Sequence, residues 1–238
     1  MAATPDVEAL LFDVFGTVVD WRTSIIEDLT RFGTQRGIEA DWAAFADDWR
    51  GLYQPAMEEV RSGRRAWTIL DALHRESLEK LLAKYAISGL SETDKDHVNR
   101  VWHRLKPWPD AVEGLTRLKV RYIIGTLSNG NVGLLTRMAK FARLPWDVVL
   151  GAETARAYKP LPQAYLASAE LLNLKPGQVM LVAAHNGDLA AASAAGLRTG
   201  FVARPTEYGP HQKRDFKAER EWDVVADSFV GLAKAMGC

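Results

Sequence analysis

The sequence predicts an α/β fold, a doubly wound parallel sheet with an inserted helical cap, and three observations predict it. Short runs rich in apolar and β-branched residues recur at ALLFDV (9–14), YIIGTLS (122–128), DVVLGAE (147–153), VMLVAAH (179–185) and TGFVAR (199–204). Most are near-continuously apolar, as strands covered on both faces are. Helix-length segments alternate with the later runs, whereas residues from about 22 to 105 carry helical patterns alone.

The elements follow in order. ALLFDV climbs to Asp13 and breaks at Gly16-Thr17, so the first strand ends on a carboxylate. Four amphipathic patterns come next: TSIIEDLTRFGTQRG, DWAAFADDWRGLYQPAMEEV, WTILDALHRESLEKLLAKYA and SETDKDHVNRVWHRL. The second opens on an aspartate cap, and the fourth on Ser91 with Asp94 three residues on, a capping-box start. The Pro-rich KPWPD closes this segment. NVGLLTRMAKFARL, LPQAYLASAELLNL and DLAAASAAGL then supply the helices of a Rossmann-like winding. The expected division is a core of residues 1–20 and 106–238 and a cap of residues 21–105. A chain of 238 residues is long enough to bury both.

The 30 basic and 30 acidic residues balance. Bulk electrostatics therefore point to no nucleic acid and no membrane surface, and the expected partner is a small molecule. The single cysteine, Cys238, excludes an intrachain disulfide and a cysteine metal cluster, which suits a reducing cytosol. MAATPDVEALLF has acids where a secretory signal carries Lys or Arg, so the protein is expected to be soluble and cytoplasmic.

Ligands of open α/β sheets bind beyond the carboxyl ends of the strands. There the sequence delivers Asp13 and Thr17, then Ser128 and Asn129, then Lys159 in YKPLPQAY, then His185, Asn186 and Asp188. Singly these are ordinary turn, cap or surface residues. Together, at successive strand ends, they make a site.

DVFGT, LSNG, YKP with Pro162 following, and the glycine-bounded helix after HNGD resemble the haloacid dehalogenase superfamily, and within it the type II L-2-haloacid dehalogenases. The resemblance spans nearly the whole chain, including a cap inserted after the first motif. Phosphatases of that superfamily carry a second aspartate where this chain has Phe15, and an acid pair where it has Ala184 and Asp188. With two acids missing and Lys159 beside the remaining pair, no metal and no other cofactor are expected. An aspartate nucleophile without an acid suits a leaving group that departs as a stable anion, such as halide.

The resemblance thus implies hydrolysis of a short (S)-2-haloacid to a 2-hydroxy acid through an ester on Asp13, with halide as the other product. It gives Lys159 the task of keeping Asp13 ionised, with Thr17 and Tyr165 beside it. Ser128 and the N–H groups of Val14 and Phe15 are expected to hold the substrate carboxylate. Arg50 matches the family's halide-binding arginine, with Asn129 and Trp67 as companions.

AAHNGDL departs from the family pattern, which has Ser and Asn where Ala183 and His185 stand. His185 or Asn186 then serves the hydrolytic water, with Asp188 binding water or orienting the lysine. His185 is either a general base or a hydrogen-bonding spacer. Gly187 replaces a bulky aromatic, which implies a larger pocket. Glu207 and Tyr208 are placed near the site mouth, and Arg204 is given a structural part. His74, His97, His103 and His211 read as surface or helix-face residues. Eight tryptophans fit either a packed interior or a cap-mediated homodimer. The alternatives are ring opening of a strained 2-carboxylate such as azetidine-2-carboxylate, a phosphatase, or a binding protein on a decayed fold.

Overall fold

In the computed structural model, which describes residues 6–238 except the His211 side chain, the first strand, β1 (Ala9–Phe12), is wholly buried. A short strand β2 (Val19–Asp20) leads into four helices, α1 (Trp21–Arg36), α2 (Trp42–Arg61), α3 (Leu70–Lys84) and α4 (Glu92–Asn99), then a 3-10 turn at Arg100–His103. Strand β3 (Lys106–Pro107) pairs antiparallel with β2, so the chain enters and leaves the helical segment through one two-stranded ribbon. Then follow α5 (Ala111–Lys119), β4 (Ile123–Ser128), α6 (Val132–Ala142), β5 (Val148–Gly151), α7 (Ala152–Ala155), α8 (Pro162–Leu171), β6 (Val179–Ala183), α9 (Asn186–Ala194), β7 (Arg198–Val202), β8 (Val224–Ala226) and α10 (Phe229–Ala235).

The six main strands are parallel, in the order β5-β4-β1-β6-β7-β8. β1 lies between β4 and β6, with Leu10 opposite Ile124 on one side and Met180 on the other. A central strand needs both faces covered, which accounts for its unbroken apolar sequence. Edge strand β8 was not foreseen: EWDVVAD has only two β-branched residues, and Val225 is exposed.

Local chemistry sets the helix ends. The Asp41 carboxylate accepts the Ala44 N–H at 2.9 Å, and Ser91 and Asp94 form the reciprocal capping box. Losing such a cap costs about 1 kcal/mol. Helix α3 begins at Leu70 rather than Trp67, because the Trp67 ring is held against Tyr158 in the preceding loop.

Trp21, Trp49 and Trp102 are fully buried and join helices and sheet in one core. Interior packing therefore accounts for these rings. Two histidines are corrected at the same place. His74 is buried in a stack on the Trp102 ring, and His103 is buried with Nε2 at 2.9 Å from Asp71. Each falls on the apolar face of its segment, where a histidine goes in with its neighbours. Among the described residues no helix is long and apolar enough to cross a membrane.

Candidate active site

Beyond the end of β1, the chain turns sharply at Gly16, whose φ is +86°. This brings Thr17 back to Asp13: its hydroxyl donates to Asp13 Oδ2 at 2.7 Å and accepts the Ala184 N–H at 2.9 Å. The Val14 and Phe15 N–H groups have no protein acceptor among the described residues.

Lys159 reaches in from the loop before α8. Its ammonium lies 2.9 Å from Asp13 Oδ1 and 2.5 Å from Asp188 Oδ2, and the Tyr165 hydroxyl donates to the other Asp188 oxygen at 2.7 Å. His185, at the end of β6, places Nδ1 at 3.1 Å from Asp13 Oδ2 and Nε2 at 2.8 Å from Glu207 Oε2. Glu207 is buried in the loop after β7 and also accepts the Trp21 indole N–H at 3.0 Å. A Cβ on Gly16 would lie 2.1 Å from a Glu207 oxygen, so only glycine lets this carboxylate in.

Charges follow from these contacts. Burial alone would raise the Asp13 carboxyl; Lys159 and then His185 outweigh it and hold Asp13 well below the usual carboxylate range. Burial likewise opposes the Lys159 charge, and Asp13 and Asp188 overcome it. For His185, burial is outweighed by Glu207 and Asp13, which raise it well above its ordinary 6.5. Both ring nitrogens face carboxylate oxygens, which favours the imidazolium form of His185.

Arg50 comes down from α2. Its guanidinium lies 4.3 Å from the Tyr53 ring centre and 5.5 Å from that of Trp21, and Nη2 is 3.9 Å from Glu207. Its Nη1 is buried and has no hydrogen-bond partner among the described residues. A cavity of about 1030 Å³ is lined by Asp13, Phe15, Arg50, Lys159, His185 and Asp188, among others. Gly187 also lines it, and a Cβ there would meet nothing within 4 Å.

Other expected residues sit differently. Asn129 lines the cavity, and its Oδ1 accepts the Lys159 N–H at 2.8 Å. The Ser128 hydroxyl is buried and accepts the Gly130 N–H at 3.2 Å. Asn186 is not turned to Asp13: its amide is used by Asp215, the Lys217 carbonyl, the Glu219 N–H and the Trp222 indole, fixing the C-terminal loop. Trp67 is not beside Arg50, since its ring packs 4.9 Å from Tyr158. The rings that flank Arg50, Tyr53 and Trp21, carried no motif. Arg204 grips both Asp110 oxygens and the Thr17 carbonyl, bracing the turn after Asp13.

The donor set does not suit a divalent cation. The ammonium of Lys159 occupies the space between the Asp13 and Asp188 carboxylates, His185 adds a second positive neighbour, and Phe15 and Ala184 offer no oxygen ligand in their side chains.

A family model for haloacid dehalogenase-like hydrolases matches residues 7–196. The crystal structure of the defluorinating L-2-haloacid dehalogenase Rha0230 superposes with a TM-score of 0.95 at 49% identity, covering 98% of this chain and 96% of that one. That of the L-2-haloacid dehalogenase PA0810 gives 0.95 at 46%, covering 97% and 99%. The (S)-2-haloacid dehalogenase 4A of Burkholderia cepacia is 27% identical over 250 residues, 95% of this chain and 98% of its own. With its Asp13–Lys159 pair at the sheet edge and these matches along its length, the chain belongs to the haloacid dehalogenase-like hydrolases, among the L-2-haloacid dehalogenases.

Proposed function

We propose that this protein hydrolyses short (S)-2-haloalkanoic acids, chloro- or bromo-substituted, to 2-hydroxy acids, with no metal and through an ester on Asp13. One observation carries the reading. An Asp13 held ionised by Lys159 shares a cavity with Arg50, whose buried Nη1 has no partner among the described residues, while position 15 offers no acid. The activity named for the similar proteins agrees with it.

An Asp13 oxygen attacks C2 opposite the halogen. The carbon–halogen bond breaks, and the halide leaves with its electron pair toward Arg50, in a cradle walled by Tyr53 and Trp21. The free N–H groups of Val14 and Phe15 suit the substrate carboxylate, with Ser128 and Asn129 behind them. Attack from the face opposite the halogen inverts C2.

Once Asp13 is an ester, His185 has lost one of its two anionic partners and can release its proton to solvent. Neutral His185, held by Glu207, then takes a proton from the water that attacks the Asp13 carbonyl carbon. One water proton ends on the product hydroxyl and the other on His185, and the Asp13 carboxylate is restored. Lys159, tied to Asp188 and through it to Tyr165, stays charged throughout.

Residues 21–105 act in this reading as the cap over a core of residues 1–20 and 106–238, in a cytoplasmic homodimer. Light scattering tests the assembly. The chemistry is tested by halide release from separate enantiomers of 2-chloropropionate with EDTA present. Release from the S form alone, abolished in Asp13→Asn, is expected. No release from either enantiomer, with Mg²⁺-dependent hydrolysis of a phosphate ester instead, would overturn it.

A further inference from the structure

The backbone of Lys159 is held on both sides of its Cα. Its N–H donates to Asn129 Oδ1 at the sheet edge, 2.8 Å away, and its carbonyl accepts from Arg61 Nη1 at 2.9 Å. Arg61 is the last residue of α2. Its side chain is only 11% exposed, and it is braced by Glu58 Oε2 at 2.9 Å and Gln54 Oε1 at 3.1 Å. The preceding residue repeats the link: the Tyr158 hydroxyl donates to the Thr68 carbonyl at 2.7 Å, and its ring packs on Trp67. Two successive residues of the lysine loop are thus tied to the end of α2 and to the connection that follows it.

We infer that Arg61 is a positioning residue that fixes the Lys159 backbone and makes the placement of the lysine depend on the helical layer being seated. The inference rests on the proposed part of Lys159 beside Asp13. The Lys159 ammonium ends a flexible four-carbon stem, so any freedom in its backbone is passed to the contact with Asp13. Fixing both the N–H and the carbonyl removes that freedom. The planar fork of an arginine can meet a carbonyl, a carboxylate and an amide at once, which a lysine cannot do with the same geometry. If the helices lift from the sheet edge, the Arg61–Lys159 bond breaks and the lysine is released from register.

The test compares Arg61→Met and Arg61→Lys with Arg64→Met, since among the described residues Arg64 pairs only with the exposed Glu59 on the same stretch. Hydrogen exchange by mass spectrometry over 156–160 is read together with kcat, KM and the pH profile on (S)-2-chloropropionate. Arg61→Met is expected to speed exchange there and to lower kcat about tenfold to a hundredfold with KM little changed, the cost of a small misplacement near the reacting atoms. The acid limb of its profile moves to higher pH, because a displaced Lys159 no longer holds Asp13 as low. Arg61→Lys regains part of the loss, and Arg64→Met behaves like the parent. Unchanged exchange and kcat in Arg61→Met overturn the inference, as does a loss matched by Arg64→Met or confined to the melting temperature. If the parent enzyme releases no halide, the substrate reading fails, and the exchange comparison alone decides whether Arg61 fixes the loop.

Discussion

Two histidines of this molecule, one partly exposed and one buried, are pushed in opposite directions by their surroundings. His185, at the sheet edge, lies between the carboxylates of Asp13 and Glu207 and is raised well above 6.5. His74, in the helical layer, is stacked at 4.2 Å on Trp102, both its nitrogens are without a partner among the described residues, and burial pushes it down to about 3. Burial opposes charge at both sites, so the partners decide the outcome. Phe15 marks the border between the two regions, with its ring edge-on to both Tyr53 and Trp102. Where a phosphatase would carry its acid, this chain closes an aromatic wall.

The comparison is broken most severely at His185. His185→Gln keeps a hydrogen-bonding side chain but loses the proton acceptor for the water. Ester formation is expected to survive and hydrolysis to slow by about a hundredfold to ten-thousandfold, the span of general-base catalysis. Rapid mixing with (S)-2-chloropropionate should then show one halide released per site, followed by slow turnover. The propionate ester on Asp13 should be visible by mass spectrometry. Loss of the burst itself would assign His185 to the displacement step instead.

Glu207→Gln is expected to act in the same direction and less strongly. Glu207 is the largest influence raising His185, so its neutralisation brings the imidazolium back toward 6.5. Sign and window follow for folding as well. A raised histidine contributes stability that is complete below 6.5 and is lost as pH rises through its folded value. In Glu207→Gln that loss should still begin at 6.5 but be smaller and finish at lower pH, which melting curves taken across the alkaline range will report. An alkaline limb identical to that of the parent would mean that Asp13 alone sustains the charge on His185.

These two residues also mark what the sequence could and could not tell. Asp13, Lys159 and Asp188 were legible because each follows a near-continuous apolar strand or its loop, and parallel strands bring their carboxyl ends to one edge. Glu207 was read no further than the site mouth, because it comes from an irregular loop 22 residues beyond His185. The one local signal was Gly16, the small residue that admits it. The error at Trp67 has another origin. Amphipathic spacing says which face of a helix is apolar, but not which ring of that face meets the cavity, and Tyr53 and Trp21 took the place beside Arg50. Asn186 was misjudged because its partners, Asp215 to Trp222, lie in the loop after β7, where hydropathy carries no pattern.

The smallest effect is expected at His74, and it gives the mirror image of the first. Its folded value is depressed to about 3, so the unfolded chain binds a proton that the folded chain refuses between 6.5 and that value. Stability from this group is complete above 6.5 and is lost progressively as pH falls toward 3. His74→Phe keeps a flat ring on Trp102 and removes two nitrogens that have no partner among the described residues. Replacing a buried polar group that bonds to nothing should leave stability at neutral pH within about 1 kcal/mol of the parent, since no hydrogen bond is lost. The variant should hold its urea midpoint better than the parent as pH is lowered from 6.5, while its alkaline limb, set by His185, stays in place. A variant that loses stability at neutral pH, with an acid limb parallel to that of the parent, would show that His74 is bonded after all and that the two histidines differ less than their surroundings imply.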